Sequence, residues 1–119
     1  MDDVKEALWR LGRKTRWSMQ GWLAAWATQI SLRQWTGVTA VSTVLALVLN
    51  LSAGERALIL ALGLLLLAAE LFNTAIGAAV DFASTARDPR AAMAKDCASA
   101  AVALTALAGF VAWCAILWG

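Results

Sequence analysis

The stretch from Ala57 to Val80, ALILALGLLLLAAELFNTAIGAAV, decides the fold. It has Glu70 as its one ionisable side chain and falls within the roughly 17 to 25 residues that carry a helix across a hydrocarbon core. Two uncharged runs flank it, Trp35 to Leu51 and Cys97 to Gly119. The chain of 119 residues is 61% hydrophobic and 15% charged with a mean hydropathy of +0.68, so three spans and their connections use its length. The expectation is an all-α integral membrane protein forming a single domain, 1–119. Transmembrane helices are placed at 35–51, 57–80 and 97–119, behind an N-terminal amphipathic surface helix at 4–33.

Between the first two spans, Asn50 to Arg56 is a tight turn whose Ser52-Ala53-Gly54-Glu55 can cap the next helix, which makes those spans antiparallel neighbours. The second connection, Asp81 to Asp96, holds the single proline, Pro89, with six charged side chains among them Arg87, Asp88, Arg90 and Lys95, and reads as a solvated interfacial loop whose short Ala-rich segments are left open as helix. Nine of the ten basic residues fall in the N-terminal segment or this connection, and Arg56 alone falls in the first turn. By the retention of basic residues on the inner side, the N-terminus and the long connection face the cytoplasm and the C-terminus faces outward.

Val4, Leu8, Leu11, Met19, Trp22, Trp26 and Ile30 form an apolar helical stripe, with Arg10, Arg13, Lys14 and Gln20 largely off it. That pattern suits a helix in the headgroup plane, where indoles also prefer to sit; Gly12 and Gly21 permit breaks in it. Asp2, Asp3 and Glu6 ahead of any apolar run do not form a cleavable signal peptide. Cys97 and Cys114 are about 25 Å apart along one helix and cannot bridge within it.

Composition also limits the chemistry. With no His and no Tyr, imidazole bases, His-centred triads and His-containing zinc sites are excluded. A net charge of +2 without a basic, aromatic-studded module gives no nucleic-acid footprint. Gly12-Arg13-Lys14-Thr15 resembles the end of a P-loop, but position 7 is Ala and no strand precedes it.

Glu70 is the informative residue. A carboxylate at membrane depth costs roughly 2.5 to 3.5 kcal/mol even on the mild insertion scale, so it must face protein, water or a ligand. Asn73, Gly77 and Asp81 continue its helix face toward the inner surface. Two readings stay open, a reactive site and a polar clamp between helices. Lys95 and Asp96, where the third span opens, can meet that stripe, or snorkel and cap in the ordinary way. Arg10, Arg13, Lys14 and Arg16 can neutralise a polyphosphate or hold anionic headgroups.

Taken together, Ala69-Glu70-Leu71-Phe72-Asn73-Thr74-Ala75-Ile76 with Val80-Asp81, then Ala94-Lys95-Asp96-Cys97-Ala98-Ser99-Ala100-Ala101-Val102, resemble the small integral-membrane diacylglycerol kinases of bacteria, a family that includes undecaprenol kinases. Gly21, Ala24-Ala25-Trp26 and Arg33-Gln34 are similar to its surface-helix region, and Trp113-Cys114 with Leu117-Trp118 to its last span. The resemblance implies a homotrimer in the bacterial inner membrane, with composite sites at the cytoplasmic interface. It implies a lipid kinase in which Glu70 is general base on the lipid hydroxyl that attacks the ATP γ-phosphoryl group, with Asn73 orienting. Arg10, Arg13, Lys95 and Asp96 match nucleotide-binding positions, Arg13 standing for the usual Lys, and Trp26 and Arg33 match the lipid-binding region.

The chain also departs from the pattern. Gly77 and Gln29 stand where the family has glutamates that bind Mg2+ with ATP, and Trp35 occupies a third acidic position. Asp81, about 6 Å beyond Gly77 along the helix, and the Gln29 amide are the remaining candidate metal ligands. The alternative is therefore a catalytically silent member that binds lipid or assembles with a membrane-protein partner.

Overall fold

The computed structural model describes residues 2–83 and 86–119, and every regular element among them is an α-helix: α1 (Asp2–Thr28), α2 (Ile30–Val48), α3 (Ala53–Ala83) and α4 (Pro89–Trp118). Helix α3 is central, packed along α4 and paired antiparallel with α2. Leu32, Thr39 and Ala46, seven apart on α2, are buried, and so are Ile59, Leu66 and Glu70 on α3. Seven residues are two helical turns, so each set forms one seam. At the end of the seam beside the α2–α3 turn, Ala46 packs with Ile59 and with Ala112 of α4. The middle rung is Thr39 against Gly63, so close that a Cβ built on Gly63 would lie 2.9 Å from the Thr39 methyl. Serine and glutamate make the inner rung, Ser31 of α2 reaching Glu70 of α3. Helix α4 also packs along α3, burying Ala98, Val102 and Ala112, and its Trp113 Nε1 reaches across to donate to Ser42 Oγ of α2 at 2.8 Å.

The hairpin between α2 and α3 is closed by the capping box read from the sequence. The Glu55 N–H donates to Ser52 Oγ at 3.2 Å and the Ser52 N–H donates to Glu55 Oε1 at 2.9 Å. Arg56 Nε donates to the Ala46 carbonyl at 2.9 Å, satisfying an acceptor that the end of α2 leaves free.

Large apolar side chains such as Val44, Leu64, Phe72, Leu104 and Phe110 are exposed on the outside of these helices. An apolar exterior of that extent belongs to helices in lipid. Two helices, α3 and α4, are each long and apolar enough to cross a membrane. Helix α2 has 19 residues and carries Arg33 and Gln34 in its first turn and a half, which lowers its hydropathy.

Several boundaries differ from the sequence reading: α2 runs from Ile30 to Val48 where 35–51 is expected, and α3 starts at Ala53, inside the turn, not at 57. The surface segment 4–33 is not one helix: it ends at Thr28, and Arg33 belongs to α2. The break is at Gln29, extended at φ −113°, ψ 104°; Gly12 and Gly21 lie within the unbroken α1. The connection 81–96 is mostly helical. Helix α3 runs on to Ala83, and α4 starts at Pro89, where proline's missing N–H costs nothing and Asp88 Oδ1 accepts the Arg90 N–H at 2.8 Å. Residues 84 and 85 of that connection lie outside the described residues. The Arg90 side chain, then its backbone N–H, hold the Asp88 carboxyl below the usual carboxylate range.

Helix α1 is an arm. Residues 2–20 are all exposed, while Trp22 is half-buried and Ala25 fully buried, so only the C-terminal third touches the bundle.

Candidate functional site

The inner rung sets the chemistry. Glu70 is 2% exposed, and Ser31 Oγ donates to its Oε2 at 3.1 Å. The burial that a carboxylate in so apolar a helix requires is thus provided within one chain, at the start of α2.

One turn inward the helices part. Asn73, Thr74, Gly77 and Asp81 of α3 line a cleft of about 910 Å³ whose other wall is Gly21, Trp22, Ala25, Thr28 and Gln29 at the end of α1. Small residues on both walls keep it open: a Cβ on Gly77 would meet nothing within 4 Å. Thr74 Oγ1 is buried there without a hydrogen-bond partner among the described residues. Lys95 of α4 closes one end and pairs with Asp81. Both side chains of that pair are substantially exposed, so it contributes little to stability and is easily exchanged.

The arrangement gathers Asn73, Gln29, Asp81 and Lys95 in one cleft and sets Glu70 a turn above it. Asp96 is exposed on α4 and does not line the cleft. Arg10 and Arg13 lie on the arm outside it. Arg10 pairs with Glu6, and the Arg13 guanidinium lies over the rings of Trp9 and Trp17, 4.3 and 5.0 Å from their centroids. A straight helix carries Arg13 about 12 Å beyond Gly21, which explains why one chain does not bring it in. Trp26 stacks on the cleft-lining Trp22 at a centroid distance of 6.0 Å, and Arg33 is exposed nearby on α2. Trp35 faces an apolar groove toward the opposite end of the bundle, with Thr39, Gly63 and Trp113.

As a magnesium site these residues are a poor fit. The cleft's one carboxylate, Asp81, is engaged by Lys95, and Gln29 offers an amide oxygen at the elbow. Among the described residues no cluster of three His, Cys, Asp or Glu side chains is placed to hold a metal ion. Magnesium prefers one or two carboxylates together with phosphates, so it would have to enter largely ligated by a nucleotide.

The sequence alone does not single out Ser31, and it gives Thr74 no role beyond its place in the family-like stretch. Ser31 could have been found by running the hairpin pairing inward from the Ser52 cap, which sets the start of α2 opposite Glu70.

The family model for prokaryotic diacylglycerol kinase matches residues 16–117. A diacylglycerol kinase of Pseudomonas aeruginosa is 43% identical over 112 residues, covering 92% of this chain and 89% of the relative. The diacylglycerol kinase of Escherichia coli K12 is 30% identical over 109 residues, with coverage of 92% and 89%. That of Helicobacter pylori is 36% identical over 110 residues, with coverage of 92% and 82%.

Proposed function

The chain belongs to the prokaryotic diacylglycerol kinase family, and on that premise we propose that it is a membrane lipid kinase, transferring the γ-phosphoryl group of ATP to a lipid hydroxyl. The observation that supports this reading is the cleft itself, which sets an amide, a lysine and a carboxylate one turn below a buried glutamate. Phosphoryl transfer is catalysed mainly by positioning and charge neutralisation, and these side chains are suited to that work. Glu70 takes the proton of the lipid hydroxyl and Asn73 orients the reacting groups. Lys95, with Asp96 beside it, engages the nucleotide, and Trp26 and Arg33 meet the lipid where α1 turns into α2. The magnesium ion is part of the MgATP substrate.

In this reading α2 is a third span, the N-terminus and the α3–α4 connection face the cytoplasm, and the protein is a homotrimer in the bacterial inner membrane. The exposed arm favours a composite site: Arg10 and Arg13 lie outside their own chain's cleft, and only exposed contacts with Glu6, Trp9 and Trp17 would have to be exchanged for them to serve a neighbour's.

Transfer of labelled phosphate from ATP to a panel of diacylglycerols and polyprenols by the purified protein in lipid, with magnesium titrated, tests the proposal. Phosphorylated lipid should form and should depend on Glu70. No transfer to any lipid at saturating magnesium would leave the second reading, a catalytically silent member that binds lipid or assembles with a membrane-protein partner. What favours that second reading is the pair Gln29 and Gly77, which leaves the cleft one carboxylate.

A further inference from the structure

We propose that Ser31 is a positioning residue for Glu70, fixing one carboxylate oxygen so that the other is presented to the lipid hydroxyl. The inference rests on the kinase reading and deepens it. Ser31 stands in the first turn of α2, two residues past the extended elbow at Gln29, and the next residue, Leu32, is fully buried. Elbow and buried leucine together fix where the serine side chain can point. Its hydroxyl donates to Glu70 Oε2 across the helix pair at 3.1 Å, and among the described residues it is the side chain that hydrogen-bonds this carboxylate.

An ionised carboxylate only accepts hydrogen bonds, and a serine hydroxyl has a single proton to donate. A glutamate turns about three side-chain torsions, so an unheld one samples many directions at a cost to any reaction that needs a fixed proton acceptor. With Oε2 held, Oε1 is the acceptor. In the transfer step the lipid O–H bond breaks, its proton passes to Oε1, and the oxygen forms a bond to the γ-phosphorus. The bond from that phosphorus to the bridging oxygen breaks, and ADP leaves with the electron pair. Ser31 keeps its own proton throughout, which makes it a positioning group and not an acid or base.

The test uses the full chain in lipid, with assembly checked by size exclusion, and compares Ser31→Ala, Ser31→Cys and Ser31→Thr. A hydrogen bond to a charged group is worth enough that Ser31→Ala should lower kcat at least about tenfold with KM for MgATP unchanged, and Ser31→Thr should restore most of the loss. Independently of turnover, the infrared carboxylate band of Glu70, assigned by difference against Glu70→Gln, should shift in Ser31→Ala, shift less in Ser31→Cys, and return in Ser31→Thr. An unmoved band overturns the hydrogen bond. A moved band with unchanged kcat overturns the positioning role. A parent without turnover on any lipid brings down the kinase reading and the positioning role with it, while the band still decides the contact.

Discussion

Gly63 is where the α2–α3 seam can be tested most directly, because one methyl group there is opposed by another. A Cβ at this position would lie 2.9 Å from the Thr39 methyl, inside any normal contact, and Thr39 is 8% exposed, so it has little room to withdraw. Two opposed terms act on Gly63→Ala. Alanine is the better helix former by about 0.5 to 1 kcal/mol. Overpacking a close contact costs about 1 to 3 kcal/mol. The expected net is a loss of about 1 kcal/mol. Thr39→Ser removes the opposing methyl, and in that background Gly63→Ala should change from destabilising to neutral or better, a coupling of about 1 to 2 kcal/mol. The assay is equilibrium unfolding in mixed detergent, followed by tryptophan fluorescence, for the parent, both single variants and the double variant. If Gly63→Ala stabilises equally with either residue at 39, the helices do not approach as described. The reasoning about the inner rung would then fall as well, because the same seam sets Ser31 against Glu70.

Glu70→Gln should abolish turnover, at least about a hundredfold in kcat, with assembly intact by size exclusion, since the amide keeps the shape but cannot take the hydroxyl proton. The first turn of α4 should loosen in acid: the Asp88 carboxyl is held low by Arg90, so its cap is in place above the ordinary carboxylate pKa and is lost as pH falls through the lowered folded value. Hydrogen exchange at the start of α4 should show this fraying in the parent, and Asp88→Ala should fray at every pH. Gln29→Glu with Gly77→Glu should strengthen Mg-dependent ATP binding, measured calorimetrically against EDTA, because the second carboxylate enters space with nothing within 4 Å.

What the sequence made legible, and what it did not, follows from the range of the interactions. The Ser52–Glu55 box is local, and both bonds are present. Glu70 was readable because charge in an apolar run is costly wherever the partners lie, and its stripe of Asn73, Gly77 and Asp81 does line one cleft. The start of α4 is also written locally, in the Asp88-Pro89 pair, while the charges around the Ala-rich run leave helix and loop both open on sequence alone. The α1 boundary is hidden for the opposite reason. The apolar stripe runs on through Trp26 to Ile30, and nothing in that local pattern marks the extended residue at Gln29. Ser31 needed the tertiary register before its partner was visible.

The seam also explains why the reactive residues lie where they do. From Ile59 through Gly63 and Leu66 to Glu70, α3 has α2 against it, and each rung is closed by apolar or small side chains until the last, which is polar on both sides. Beyond Glu70 the chain has no more α2 to pair with, because α2 begins at Ile30. Asn73, Gly77 and Asp81 therefore face the end of α1, whose Gly21, Ala24 and Ala25 are too small to fill the gap. The cleft is the space left where the α2 seam ends and the small residues of α1 do not close over that face of α3. Closure at Glu70 and opening at Asn73 are one consequence of where α2 starts, so moving the Gln29 elbow by a single residue would rotate Ser31 about 100° away from Glu70 and redraw both.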